Sequence, residues 1–356
     1  MAELRSARPH APAPIAAHTL QQTSYLALLA ETMRLFEPAA LARLLPSDSA
    51  SPGLAATSAA ARDWLHAGGK RLRPFLAVAA YTITRHGPDA LAPDAPLPSL
   101  IPLPVRKIAV AIEALHKASL VHDDIEDGDA FRYGRETLHK TLGVGPAINV
   151  GDYLVGLGYK LIADERAALG SDRTADILAR LAAAHVDLSR GQGAELLWHP
   201  KNGERLRVAE ALAIYALKTA PAFDAALYCG LRAADAHHDA PTIHRFCVAI
   251  GQAYQLLNDL DDWRPDKHNK IVAGRDGLAG RPTVLRAFAL RTAGPALLAS
   301  ASNDIVRMRA LYEEHGVFAR ADRLIARLRK RAITLTGELQ NPPLKDFLLF
   351  IVRSLL

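Results

Sequence analysis

Residues 109 to 127 read AVAIEALHKASLVHDDIED, an apolar-rich segment that ends in a block of carboxylates. Apolar residues recurring at helical spacing, without the strict alternation of a half-buried strand, predict an α-helix. At about 100° per residue, Asp123 and Asp127 stand about 40° apart and Asp124 about 60° from Asp127, so one face can carry all three. Like charges this close repel unless solvent or cations neutralise them. A solvated helix end and a cation-binding face both account for such a run taken alone.

Working outward, nearly every segment repeats the helical pattern. Tyr25, Leu26, Leu28, Leu29, Met33 and Leu35 approximate one stripe, and others run through residues 103–125, 143–167, 171–196, 205–219, 240–262, 281–298, 303–313 and 319–336. No run shows the alternating β-branched pattern of a sheet, which predicts an all-α chain. Residues 1–20 carry Pro, His and Ala without a sustained pattern and are expected to form a disordered arm, with 21–356 as a single all-helical domain. Gly87 to Pro104, GPDALAPDAPLPSLIPLP, reads as an insertion-like loop, because proline removes amide donors and restricts its predecessor. Further breaks are expected at Trp198 to Arg205 and Trp263 to Pro282.

Composition narrows the function classes. The chain has 356 residues, half of them apolar, enough for a substantial core. Its net charge of +6 is spread along the sequence and forms no basic arm, so no nucleic-acid partner is expected. Cys229 and Cys247 make neither a disulfide scaffold nor a closely spaced zinc pair. The opening MAELRSARPHAPAPI lacks the apolar stretch of a secretory signal, and the apolar run from Val150 to Leu161 is broken by Asp152 and Lys160. A soluble cytoplasmic protein without a membrane span is therefore expected. A strand-turn-helix serine motif, a Gly-rich dinucleotide fingerprint and a phosphate-cradling Lys-Ser or Lys-Thr loop are all missing.

A second acidic cluster, Asn258-Asp259-Leu260-Asp261-Asp262, follows the apolar-rich FCVAIGQAYQLL. Asn258, Asp259 and Asp262 repeat the one-face spacing, whereas Asp261 points elsewhere. The preceding apolar residues set both clusters on core-facing helices, which weakens the solvated-end explanation. Two facing carboxylate sites suit a hard divalent cation, above all Mg²⁺ bridging phosphate oxygens. Basic residues supply the complement: Gly68-Gly69-Lys70-Arg71-Leu72-Arg73-Pro74 is a candidate anion-binding loop and helix start, and Arg132, Lys218, Lys270, Arg275 and Arg281 are candidate diphosphate clamps.

Taken together, these motifs resemble those of the trans-isoprenyl diphosphate synthases, or polyprenyl synthetases, over roughly residues 64–285. The likeness rests on Asp123-Asp124-Ile125-Glu126-Asp127 and on Gly251 to Asp262, GQAYQLLNDLDD. Gly69-Lys70 with Arg73, His116, Gly151-Asp152, Gly191-Gln192, Lys218-Thr219, and Asp276 with Gly280-Arg281-Pro282-Thr283 add to it. The resemblance implies the isoprenoid synthase fold, a large helical bundle around a central cavity, usually as a homodimer. It implies a Mg²⁺-dependent prenyltransferase, with three ions per site, that condenses an allylic diphosphate with isopentenyl diphosphate into a longer trans-prenyl diphosphate. Asp123, Asp124, Asp127, Asn258, Asp259 and Asp262 are the implied metal ligands. Lys70, Arg73 and His116 would hold isopentenyl diphosphate, and Arg132, Lys218 and Gln255 the allylic side, with Thr219 and Lys270 as further substrate-binding residues. Asp123, Asp124, Lys218, Gln255 and Asp259 would carry the ionisation.

Four positions depart from the family pattern. Arg132 is followed by Tyr133 instead of a second arginine, and the loss of a charge-assisted contact on the isopentenyl side corresponds to a deficit of about 1.5 to 3 kcal/mol. Asn258 stands for an aspartate, Glu195 for an aspartate three residues after Gln192, and Arg281 for a lysine. Because a weakened second site favours single-substrate chemistry, a class I terpene cyclase is a second reading, and a non-catalytic helical partner subunit a third. Ala118 and Ser119 are small where short-product members carry an aromatic, and Leu115 lies a turn further, so a product of about C20 is expected.

Overall fold

The computed structural model describes residues 15–46, 51–92, 94–198, 205–236, 239–263, 277 and 279–356, with side chains described from residue 23 onward. The chain is all-α, as its periodicity predicts. Its first helix, α1 (Ile15–Arg34), starts inside the segment read as an arm, and residues 1–14 lie outside the described residues. Helices α2 (Pro38–Leu44) and α3 (Pro52–His66) both begin on proline, whose fixed φ suits a first turn and whose missing N–H would be unpaired there anyway.

Helix α4 (Leu72–His86) leaves the paired-glycine loop and ends at the proline-rich stretch. That stretch is not an open loop. It holds a 3₁₀ turn (Gly87–Leu91) and the short α5 (Leu97–Leu100), and it buries Ala90 and Ile101. It packs against α1 and α4, where Ser24 donates to the Leu91 carbonyl, at the end of α4 opposite Arg73.

The acidic segment forms α6 (Leu103–Glu126), which packs along α8 (Val144–Ala163) and against α4. Between them, β1 (Phe131–Arg132) and β2 (Arg135–Glu136) pair antiparallel around Tyr133-Gly134, whose φ values of 55° and 73° are those of a two-residue primed turn. Two residues per strand are too few to show an alternation in sequence. Short helices α7 (Leu138–Thr141) and α9 (Arg166–Leu169) flank α8.

Then come α10 (Ser171–Leu196), α11 (Val208–Ala233) and α12 (Ala240–Asp262), packed in sequence, with α11 also against α4. The chain closes with α13 (Val284–Thr292), α14 (Pro295–Ala301), α15 (Ile305–Glu314), α16 (Val317–Thr336) and α17 (Pro342–Leu355). Two buried apolar clusters form: one around α4, α6 and α8, the other around α13 to α16. Helices α11, α12 and α16 contribute to both clusters and so join them.

Candidate functional site

The C-terminal turns of α6 carry the first carboxylates, and each has a partner on another element. Asp123 Oδ1 accepts from Gln192 Nε2 of α10 at 3.0 Å, and the same amide donates to Glu126 Oε2 at 2.8 Å. Asp124, 2 % exposed, accepts from Arg132 Nε of the hairpin at 2.5 Å. Asp127 accepts from Arg281 Nη2 at 2.5 Å, while Arg281 Nη1 reaches Glu195 Oε1 at 3.2 Å and Lys218 Nζ reaches Glu195 Oε2 at 2.8 Å. Two of the four departures therefore touch: the Arg281 fork spans Asp127 and Glu195. Burial, reinforced by neighbouring Asp127, pushes the Asp123 carboxyl up to about 6. Burial also raises Asp124 to about 6, against the opposing pull of Arg132.

The second cluster ends α12. Asp259 is buried and accepts from the Tyr215 hydroxyl of α11, which in turn accepts from the Val284 amide at 2.8 Å. Thr219 Oγ1 donates to Gln255 Oε1 at 3.3 Å, and Gln255 Nε2 lies 3.5 Å from Asp259 Oδ1. Adjacent α11 residues thus serve the two acidic groups, Lys218 toward Glu195 and Thr219 toward Gln255. Asp259 and Asp262 are buried, whereas Asn258 and Asp261 are exposed, so Asn258 does not share their surroundings.

The expected ligand set Asp123, Asp124, Asp127, Asn258, Asp259 and Asp262 is not gathered into one cluster. Among the described residues, no three His, Cys, Asp or Glu side chains are grouped to hold a metal ion. The physical reason is visible in the pairs above: Arg132 and Arg281 draw Asp124 and Asp127 toward themselves, and Tyr215 holds Asp259. The donor chemistry still fits a hard divalent cation. Its oxygen donors are carboxylates and an amide without a thiolate, and the raised Asp123 and Asp124 are groups whose charge a cation would stabilise.

Two turns earlier on α6, the basic half is built differently. Arg71 is buried and spent on Glu113 at 2.5 Å and on the Leu65 and His66 carbonyls at 2.6 and 3.0 Å, which makes it structural. Arg73 Nη1 donates to His116 Nε2 at 2.9 Å, and its buried Nε has no hydrogen-bond partner among the described residues. Burial first, and Arg73 second, hold His116 well below its usual pKa, so it is neutral and able to accept. Lys70 is exposed at the loop. Lys270 and Arg275 lie outside the described residues.

Of the proposed chain-length residues, Ala118 is sealed in the core and cannot line an open path. Ser119 is exposed one turn before Asp123, its hydroxyl donating to the His116 carbonyl at 2.8 Å. Leu115 packs on Gly158 of α8, where an added Cβ would lie 2.8 Å from the Leu115 Cγ. The periodicity of α6 marks these levels but does not separate its sealed side from its open one. Helical periodicity also passes over Tyr215 of α11 and Lys117 of α6, because a tyrosine or lysine in a helical stripe reads as ordinary packing or as a solvated charge.

Residues 55–314 match the family model described as polyprenyl synthetase. A short chain isoprenyl diphosphate synthase of Methanocaldococcus jannaschii is 27% identical over 239 residues, 65% of this chain and 66% of that protein. A geranylfarnesyl diphosphate synthase of Aeropyrum pernix is 31% identical over 246 residues, 67% of this chain and 71% of that protein. Among solved structures, a geranylgeranyl pyrophosphate synthetase from Pyrococcus horikoshii Ot3 superposes with a TM-score of 0.74 at 25% identity, covering 93% of this chain and 98% of that one.

Proposed function

The chain belongs to the polyprenyl synthetase family, the trans-isoprenyl diphosphate synthases, and from that premise we propose that it is a Mg²⁺-dependent prenyltransferase that condenses an allylic diphosphate with isopentenyl diphosphate. The observation that carries this reading is the presence of two groups of anion-binding side chains, one at the carboxylate end of α6 and one two turns earlier beside it. Arg132, Lys218 and Arg281 stand among the carboxylates, and Arg73 with His116 stands two turns earlier. A cyclase ionises one diphosphate and needs only the first set; condensation needs both.

Asp123, Asp124 and Asp127 with Asp259 and Asp262 would hold magnesium, three ions by the resemblance, which supplies positive charge to the departing diphosphate. Lys218 and Arg132 orient that diphosphate and stabilise the charge left on its oxygen as the allylic carbon–oxygen bond breaks. Arg73 and neutral His116 position the second diphosphate so that its double bond meets the allylic cation. The apolar side of α6 keeps water from that cation, and the released diphosphate takes the proton lost from the new chain. The working unit is read as a homodimer of the all-helical domain that α1 opens, a state that sedimentation checks. No described helix is long and apolar enough to cross a membrane.

The test is incubation of the protein with Mg²⁺ and C5 to C20 allylic diphosphates, each with and without isopentenyl diphosphate, read by product mass. A longer diphosphate formed only when both substrates are supplied is the expected result. A hydrocarbon or alcohol from the allylic diphosphate alone would assign a cyclase instead, and absence of consumption would leave a non-catalytic subunit.

The expected product is about C20, set by the open level at Ser119 and the wall at Leu115. Ser119→Phe should shorten the main product by at least one isoprene unit in a mass profile. An unchanged profile would remove Ser119 from the chain's path.

A further inference from the structure

We infer, on the condensation chemistry proposed above, that buried Lys117 carries the charge position 133 lacks, so that Lys117 and Tyr133 act as a matched positioning pair for the isopentenyl diphosphate side. Lys117 is fully buried on α6. Its ammonium donates to the Ala67 carbonyl, lies 3.4 Å from the Gly68 carbonyl, and is enclosed by the rings of Tyr133 and Trp64, with centroids 4.2 and 4.8 Å away. Those carbonyls belong to the loop that presents Lys70 and leads into Arg73.

Several features of the chain are shaped around this contact. Tyr133 occupies the first turn position of the hairpin with a left-handed φ of 55°, a conformation costly for a residue with a side chain. Its ring rests on Gly68, where any Cβ would lie 2.7 Å from the Tyr133 Cγ. The Trp64 indole donates to the Lys117 carbonyl at 3.1 Å and thereby fixes the second ring. Two aromatic faces and two carbonyls are a good seat for an ammonium.

Nearby charge does not account for a lysine here by simple pairing. Glu113 is already engaged with Arg71, and Asp124 with Arg132. Burial of an ammonium is costly, and an apolar residue of similar size would be cheaper for the fold alone. Lys70, Arg71 and Arg73 leave this corner net positive beside the one carboxylate of Glu113, and although burial, with Arg71 beside it, pulls Lys117 down to about 7, an incoming diphosphate favours its charged form. Tyr133 supplies no cation but shields Lys117. An arginine at 133 would instead place a guanidinium against the ammonium with little water between them. Tyr133→Arg alone therefore cannot restore the missing contact.

A double-mutant cycle tests this with Lys117→Met, Tyr133→Arg and the combination, reading kcat, KM for each substrate and the melting temperature. Lys117→Met should raise KM for isopentenyl diphosphate about tenfold with the allylic KM within about twofold, one charge-assisted contact's worth. Tyr133→Arg should do no better than the parent and melt lower. The double variant should recover to within about threefold of the parent KM and melt above Tyr133→Arg, because coupled sites do not add. Additive effects in the cycle, or equal rises in both KM values for Lys117→Met, would overturn the pairing. If the parent itself does not elongate, the proposed reaction and the pair's substrate role both fail; if it elongates but the KM cycle is additive, the pairing alone fails.

Discussion

Asp123→Ala and Asp124→Ala are each expected to lower turnover about a thousandfold in a protein that remains folded, the scale of losing one preorganised group that stabilises transition-state charge. The two should separate in stability. The Asp123 carboxyl is raised from its usual value to about 6, so near neutral pH its charge penalises the folded state relative to the unfolded one. Removing that charge should leave the melting temperature unchanged or higher. Asp124 is raised to the same value, but it is the 2.5 Å partner of a partly buried guanidinium, and its loss leaves Arg132 only the longer contacts to Asp129 at 3.6 Å and Asp123 at 3.7 Å, so that variant should melt lower than Asp123→Ala. Turnover by pyrophosphate release and melting by circular dichroism make the comparison. Near-normal turnover in either folded variant would remove these carboxylates from the chemistry.

Gly230→Ala should be the most damaging single-methyl change. Its Cβ would lie 2.1 Å from the Ala77 carbonyl oxygen, a backbone atom of α4 that has no rotamer to give way. The two helices must part, at a cost of about 1–3 kcal/mol or somewhat more, which is a large share of the stability of an ordinary domain. Because α4 carries Arg73 and α11 carries Lys218, separation also misaligns the two anion-binding groups. A fall of several degrees in melting temperature is expected, about 2–4 °C for each kcal/mol in mid-sized proteins. It should be accompanied by a rise in KM for isopentenyl diphosphate. A variant that melts with the parent would mean that the contact relaxes without moving either helix.

How much of this was legible in the amino acids follows from the physics of each element. Helix spacing is local, so α6, α8, α10, α11 and α12 could be read from apolar stripes, and the all-α class with them. The carboxylate blocks were legible because several like charges at the end of an apolar helix are unfavourable without a purpose. The Tyr133-Gly134 hairpin was not, since two-residue strands have no measurable alternation. The proline-rich stretch looked like an open loop because proline marks where helices stop, yet what buries Ala90 and Ile101 is contact with α1 and α4, which has no local signature. In the same way, the exposure of Asn258 beside buried Asp259 depends on how α12 ends against its neighbours. The grouping of Glu195 with Arg281 was equally hidden: each looked like a separate departure, and only the fold makes them one contact.

That contact has a consequence for the order in which the molecule is completed. Arg281 joins Asp127 of α6 and Glu195 of α10 from far downstream, 154 residues beyond the first of them. As the polypeptide emerges from the ribosome, both acidic helices are made long before the guanidinium that links them. The link between the two acidic helices is thus a late product of synthesis, and a nascent chain halted before residue 281 would hold both helices without the clasp that joins them.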